Sequence, residues 1–370
     1  MAARIARIEL RRISTPLLTP YRISQHTYDS FNPLIAEILD EDGRSGWGEA
    51  GITPGLTLET TSGGWAFLQQ IAPRLAGLEP VDAQAVLAES MHGHEHAAST
   101  LMTALEMLQD SPDLEVPGPA TIPLLAPLQA HNESTLADEI EARLAERWRT
   151  LKVKVGFDVG HDLERVSFIQ AQVAGRATLR LDANQAYSVA DGIRFATNLR
   201  PDGIELFEQP CSMHDWDANA RVAAVSNVPV MLDEIVHSSA DIEHAATLPG
   251  VRFVKLKLKK MGGAARVRQA LELIRSLGLE PVLGDGSGTD IGNWCEACVA
   301  RTTIRNAGEL NGFLKLRRPL LAVPLEVEDG ALHLRPGRMP AVDDEWLAQI
   351  TRETALFEAK RASRSERSAA

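Results

Sequence analysis

Beyond Pro117 the chain repeats one texture: a short run rich in Val, Ile and Leu, then an amphipathic stretch of helical length. TLKVKVG precedes GHDLERVSFIQAQVAG, ATLRLDANQ precedes SVADGIRFATNLR, and GIELFEQP precedes SMHDWDANARVAAVS. VPVMLDE leads into SSADIEHAATLP, RFVKLKLKK into AARVRQALELIRSLG, and EPVLGDG into TDIGNWCEACVARTTI. Short apolar runs bounded by turn residues mark buried strands, and the helical period marks the segments packed on them. Alternation of the two predicts an all-parallel sheet covered by helices. A first strand near ATIPLLAPL and a last near NAGELNGFL bring the strands to eight. The expected fold class is therefore α/β, a (β/α)8-type TIM barrel over residues 116–320.

Residues 1–115 read differently. ARIELRRIS and PLIAEILDEDGRSGWGEA are strand-like, with EDGRSG as a hairpin turn. Helical patterns follow in TTSGGWAFLQQIAPRLAG, VDAQAVLAESM and AASTLMTALEML, which makes an α+β unit. Within residues 321–370, VPLEVEDGALHLRPG reads as a hairpin rejoining the N-terminal unit, and the polar tail KRASRSERSAA as frayed.

The second to seventh predicted barrel strands each end in an ionisable residue: Lys152 and Lys154 on the second, then Asp182, Glu208, Asp233, Lys257 and Asp285. Strand C-termini converge on a barrel's mouth, where active sites sit. Three carboxylates on adjacent strands repel one another, and one would stay protonated unless a divalent cation lay between them. Three hard oxygens, completed by water and substrate oxygens, suit an octahedral Mg²⁺. Asp182, Glu208 and Asp233 are thus candidate metal ligands; the blander reading makes each the N-cap of the next helix. Lys154 and Lys257 would then face each other across a substrate held on the cation. Like charge lowers a lysine pKa, and a neutral amine is a usable general base. The bland alternative for Lys255, Lys257 and Lys259 is an edge strand with its lysines in water.

In this order and spacing, LKVKVG, LRLDANQ, LFEQP, MLDE and KLKKMGG resemble the enolase superfamily, in its muconate lactonizing branch. YRIS and GWGEA resemble that branch's capping domain, so the likeness covers nearly the whole chain. The resemblance implies a capping domain over 1–115, the chemistry on the barrel over 116–320, and a C-terminal segment over 321–370 that returns to the cap. It implies Mg²⁺ on Asp182, Glu208 and Asp233, with acid/base roles for Lys154 and Lys257. Lys152 stands beside the former, and Asp285 falls where many relatives place a glutamate. The superfamily's general chemistry, a Lys or His base with Mg²⁺ and an ene-diolate, comes with the resemblance. GELNGFL lacks the DxD of dipeptide epimerases, and LGDGSGTDIG departs from the cycloisomerase pattern toward relatives acting on amino-acid-derived substrates.

The expected activity is Mg²⁺-dependent removal of a proton α to a carboxylate, giving an enolate. A racemase or epimerase of an N-substituted or proline-type carboxylate comes first, with a cycloisomerase or dehydratase as the alternative. A non-catalytic metal-binding barrel and a Schiff-base aldolase belong to other classes. A phosphate loop in GDGSGTDIG is disfavoured, because Asp285 and Asp290 would repel the anion.

Composition narrows the partners. A net charge of −12 argues against nucleic acid and anionic membrane; the small-molecule carboxylate expected as partner is what the resemblance implies. No long apolar run or basic-then-apolar start is present; the sparse cysteines suit a reducing, cytoplasmic compartment, and a homo-oligomer is the default expectation for such barrels. Cys211, Cys295 and Cys298 make no disulfide framework, and the last two read as one face of a helix. His92, His94 and His96 are expected in a loop, and Trp216 and Trp294 in packing. By the resemblance, Tyr21, Arg22 and His26 in the loop YRISQHTYD are candidates for substrate specificity.

Overall fold

The computed structural model of the protein describes residues 3–22, 27–53, 55–130 and 132–359. His26 and the tail expected to be frayed lie outside the described residues. The N-terminal unit opens with β1 (Ile5–Ile13), β2 (Thr15–Arg22), β3 (Thr27–Phe31), β4 (Leu34–Asp40) and β5 (Ser45–Ala50). Helices α1 (Thr61–Leu75), α2 (Pro80–Ser90) and α3 (Glu95–Leu108) follow. β1, β4 and β5 form an antiparallel sheet, while β2 and β3 make a separate ribbon. Alternate residues Ile8, Leu10, Ala36 and Ile38 face a core shared with Leu68, Leu101 and Leu105. The two glycines of GWGEA let α3 lie directly on β5. A Cβ at Gly46 would stand 2.0 Å from the Ala104 carbonyl oxygen, and one at Gly48 2.0 Å from that of Thr100.

The barrel sheet and its helices come next. After β6 (Ala120–Pro123), which lies outside that sheet, they are in chain order β7 (Ala126–Leu128), α4 (Glu133–Ala145), β8 (Thr150–Lys154), α5 (Val159–Val173), β9 (Thr178–Asp182) and α6 (Val189–Asn198). Then follow β10 (Ile204–Glu208), α7 (Trp216–Val225), β11 (Val230–Leu232), α8 (Ser239–Thr247), β12 (Val251–Leu256), α9 (Leu258–Met261), α10 (Ala264–Ser276), β13 (Glu280–Leu283) and α11 (Asp290–Thr303). Seven parallel strands run in the order β13-β12-β11-β10-β9-β8-β7. Their apolar side chains belong to one large core.

The eighth strand expected near NAGELNGFL does not form as a strand. Gly308 and Glu309 close the ring with single bonds instead. Leu125 N–H donates to the Gly308 carbonyl at 3.0 Å, Gly308 N–H to that of Pro123 at 2.8 Å, and Glu309 N–H to that of Leu283 at 3.0 Å. A run bounded by Gly308 and Gly312 is too short, and too poor in side chains to pack, to hold a full ladder.

The remaining elements are β14 (Glu326–Glu328), β15 (Ala331–Leu334), α12 (Asp344–Ile350) and β16 (Thr351–Glu358). The hairpin β14–β15, expected to rejoin the N-terminal unit, pairs with β6 instead. It is β16 that returns to that unit, antiparallel to β1 with Leu10 opposite Ala355. His96 is likewise not in a loop: it lies buried in α3, its backbone N–H 2.6 Å from Glu59 Oε1. Glu59 also accepts from Ala97 N–H, which ties down the start of the helix. Cys295 and Cys298 are buried on α11 as free thiols. Among the described residues no helix is long and apolar enough to cross a membrane.

Two glutamates of the N-terminal unit join it to barrel helices. Glu49 accepts from Thr289 N–H at 2.7 Å and Gly292 N–H at 2.8 Å at the start of α11. Glu106 accepts from Ala264 N–H at 2.7 Å and Ala265 N–H at 3.0 Å at the start of α10. Burial pushes Glu106 up to about 7, only partly countered by those N–H groups. The folded protein then keeps a proton that the unfolded chain has released above its ordinary value of 4.5. This group's stabilisation is full below that value and is lost as pH rises through about 7. Glu106→Gln, neutral throughout, should gain on the wild type by a few degrees of Tm between about pH 5 and about pH 8. Thermal melts across that range check it; a pH-independent difference would contradict it.

Candidate active site

Lys152 and Lys154 lie two apart on β8, so both side chains take the same face, the barrel interior. Lys154 pairs in register with Asp182, and Asp182 with Glu208. This puts the end residues of three strands at one level. The helices that follow β9, β10 and β11 are capped by Ser188, Asp215 and Ser238. Asp182, Glu208 and Asp233 are therefore not helix N-caps. All three are buried and face lysines.

Lys152 Nζ lies 2.9 Å from Asp182 Oδ2, 2.9 Å from Glu208 Oε2 and 2.7 Å from Glu309 Oε2. Lys154 Nζ donates to Asp182 Oδ2 at 2.5 Å and Asn184 Oδ1 at 2.7 Å. Across the ring, Lys255 Nζ donates to Glu208 Oε1 at 3.0 Å and to Glu309 Oε2, and lies 3.4 Å from Asp233. Lys257 reaches both oxygens of Asp233 at 2.9 and 2.8 Å, and Lys260 donates to Asp233 Oδ1 at 3.1 Å. β12 ends at Leu256, and α9 turns Lys259 away to pair with Asp285 at 2.5 Å. The three alternate lysines thus do not share one strand face. Asp285 also accepts from Ser287 Oγ at 2.8 Å.

Burial raises a carboxyl pKa, but Lys152 and Lys154 outweigh it and hold Asp182 at about 2. Lys257 and Lys260 likewise hold Asp233 well below the usual range. Lysines answer in kind. Burial pulls Lys154 down, but the Asp182 carboxylate more than offsets it; Asp233 does the same for Lys257. Both stand above the ordinary lysine value, opposite to the lowering expected from like charge. For Lys260, on α9 just after Lys257, burial dominates and brings it down to about 8.

These groups form the floor of a cavity of about 250 Å³. Lys152, Lys154, Asp182, Asp233, Lys257 and Asp285 line it, whereas Glu208 sits below, covered by Lys152 and Lys255. Tyr21, Tyr28, Phe31, Ile52 and Leu56 from the N-terminal unit form the roof. Sequence reasoning did not single out Asn184, Glu234, Lys255 or Glu309 as site residues, yet all four line the cavity. Lys255 lies two residues before Lys257, so the strand period alone placed it on the same face.

Among the described residues no three carboxylates converge into a ready-made ion cage. The ammonium groups of Lys152 and Lys255 stand between their oxygens. Glu234 Oε2 is buried and accepts no hydrogen bond, and Glu208 Oε2 has the ion pair to Lys152 but no aligned hydrogen bond. Carboxylates at one level, beside a buried oxygen without a hydrogen-bond donor, fit a hard divalent cation.

A parallel-strand barrel with an α+β cap and acids facing lysines at its strand ends defines a class of protein. The profile of enolase C-terminal domain-like proteins matches residues 135–339, and the chain belongs to that family. It is 30% identical over 356 residues to an L-Lys-D/L-Arg epimerase of Methylococcus capsulatus, covering 90% of this chain and 98% of the relative. It is 26% identical over 365 residues to muconate cycloisomerase 1 of Acinetobacter baylyi, covering 93% and 99%. The crystal structure of an N-succinyl Arg/Lys racemase from Bacillus cereus superposes with a TM-score of 0.87 at 21% identity, covering 96% and 100%.

Proposed function

We propose that this protein is a Mg²⁺-dependent racemase or epimerase of an amino-acid-derived carboxylate, N-substituted or proline-type. One observation carries the reading: Lys154 from β8 and Lys257 from the end of β12, on opposite arcs of the ring, line the same cavity. A substrate between them meets an amine on each face of its α-carbon. Asp182, Glu208 and Asp233 would hold the ion, which supplies counter-charge to the substrate carboxylate and to the charge that builds there on deprotonation. With the charge of Asp182 and Asp233 spent on the ion rather than on the amines, burial and like charge would let one lysine remove the α-proton as a free amine, while the other, as an ammonium, returns a proton to the opposite face. In the reverse direction their protonation states exchange. Asp182 and Asp233 keep each amine aimed inward, at 2.5 and 2.8 Å. Asp285, held by Lys259 and Ser287, positions the loop over the cavity.

The relatives named as epimerase and racemase favour this reading. The muconate cycloisomerase, of which this chain covers 99%, supports a second one in which a bond to the β-carbon changes instead. Proton NMR in D₂O with Mg²⁺ separates them on N-acyl amino acids, prolines and their betaines, dipeptides and muconate. Exchange at the α-carbon with inversion is the expected result. Ring closure or loss of water would establish the second reading, and no reaction with any compound would reject both. EDTA should abolish exchange and added Mg²⁺ restore it.

A further inference from the structure

Arg180 is the largest side chain fully buried among the described residues, and it stands two positions before Asp182 on β9. It therefore shares the inward face with Asp182, one layer further from the mouth, in register with Lys152. Its guanidinium is bonded on two sides of the ring. Nε and Nη2 make a bidentate pair with Glu205 near the start of β10, both at 2.9 Å. Nη1 donates to the Ala307 carbonyl at 2.8 Å, and Nη2 reaches Asn306 Oδ1 at 3.3 Å. Asn306 is tied in turn to β13, its Nδ2 donating to Glu280 Oε1 at 3.2 Å and to the Pro281 carbonyl at 2.9 Å. Ala307 leads into Gly308 and Glu309, which stand where an eighth strand would run, between β13 and β7. Arg180 thus reaches the closing segment from β9, past β7 and β8.

A strand in a full ladder bonds to its neighbours all along its length, whereas this segment has three backbone bonds. A planar guanidinium anchored by a carboxylate holds its remaining acceptors in fixed directions, and inside a barrel no water competes for them. Two residues past Ala307, the Glu309 carboxylate accepts from Lys152 at 2.7 Å and from Lys255. Those lysines also lie against Asp182, Glu208 and Asp233. The more of their charge Glu309 takes, the more of the three acids is left for an ion. Resting on the Mg²⁺ reading, we infer that Arg180 is a positioning residue, an internal strap in place of the missing ladder. Through Ala307 and Asn306 it sets Glu309 between Lys152 and Lys255, and so frees the three acids to hold Mg²⁺.

Arg180→Met removes the fork while keeping an unbranched chain in the barrel, and adding Glu205→Gln removes the acid that the first change strands. The double variant leaves neither charge of the pair unmatched and should melt close to the wild type. Its Mg²⁺ affinity, from calorimetric titration of the EDTA-stripped full chain, should nonetheless fall about 10-fold, as for residues that orient metal ligands from behind. Hydrogen exchange read by mass spectrometry should show protection lost in peptides covering 306–310 and kept in those of β9 and β10. An arginine that only stabilised the fold would loosen β9 and β10 as well, and the double variant would recover Mg²⁺ affinity together with its melting temperature. Asn306→Ala, which removes one acceptor and no charge, should move both readouts the same way by less, and it decides the question if the double variant does not fold. Wild-type Mg²⁺ affinity, or wild-type protection of 306–310, in the folded variants would overturn the strap. If the wild type itself takes no Mg²⁺, the metal reading falls, and the protection of 306–310 alone decides whether Arg180 holds the closing segment.

Discussion

Lys154→Ala and Lys257→Ala should each lower racemisation by about 100- to 10,000-fold, the usual contribution of a positioned acid or base. The two losses should be similar, because a two-base racemase uses both lysines in every turnover. Their partial reactions should differ. With Lys257 gone, Lys154 still faces one side of the α-carbon, so one enantiomer should keep exchanging its α-proton with D₂O. With Lys154 gone, the other enantiomer should do so. Polarimetry reads the lost inversion, and proton NMR reads the surviving exchange. Loss of exchange for both enantiomers in one variant, with near-normal turnover in the other, would assign a single base and favour the cycloisomerase or elimination reading. Both substitutions also remove a counter-charge, from Asp182 and Asp233 respectively. Asp182 keeps Lys152 at 2.9 Å, and Asp233 keeps Lys260 at 3.1 Å, so neither acid is stranded.

Much of this architecture was legible in the chain because it depends on period. The strand–helix alternation foretold the parallel sheet, and a polar residue at a constant place in each unit foretold which side chains meet. What escaped had no period to betray it. Glu309 closes the ring from a segment that never becomes a strand, and its closure rests on three backbone bonds rather than a run of apolar residues. Lys255 shared its alternation with Lys257 and drew no role of its own from it, yet it is buried and bonded to Glu208 and Glu309. Lys259 shared that alternation and left it, since Lys257 ends the extended run and Gly262, with φ +76°, stops the short helix after it. The pairing of Asp285 with Lys259 needed the fold.

Those buried charges make stability as sensitive as catalysis. Glu309→Gln removes the carboxylate that Lys152 and Lys255 share, leaving two buried ammonium groups one counter-charge short. Breaking such a pair costs about 3–5 kcal/mol. With an unfolding entropy near 2.1 cal/mol/K per residue, that is a Tm fall of roughly 4–6 °C for a chain of 370 residues. The penalty comes from the stranded cation, not from lost packing, since Gln and Glu have nearly the same shape. Adding Lys255→Met should therefore return most of the lost Tm, because it removes the surplus charge and fills the site with an apolar chain. Lys255→Met alone should destabilise, as it leaves Glu208 and Glu309 with only Lys152 between them. The double-mutant cycle should thus show strong coupling, above about 1 kcal/mol, as expected within one buried network. Additive losses would mean that the two side chains do not share a charge balance, and that the lysine–carboxylate lattice at the barrel floor is not what holds these groups in place.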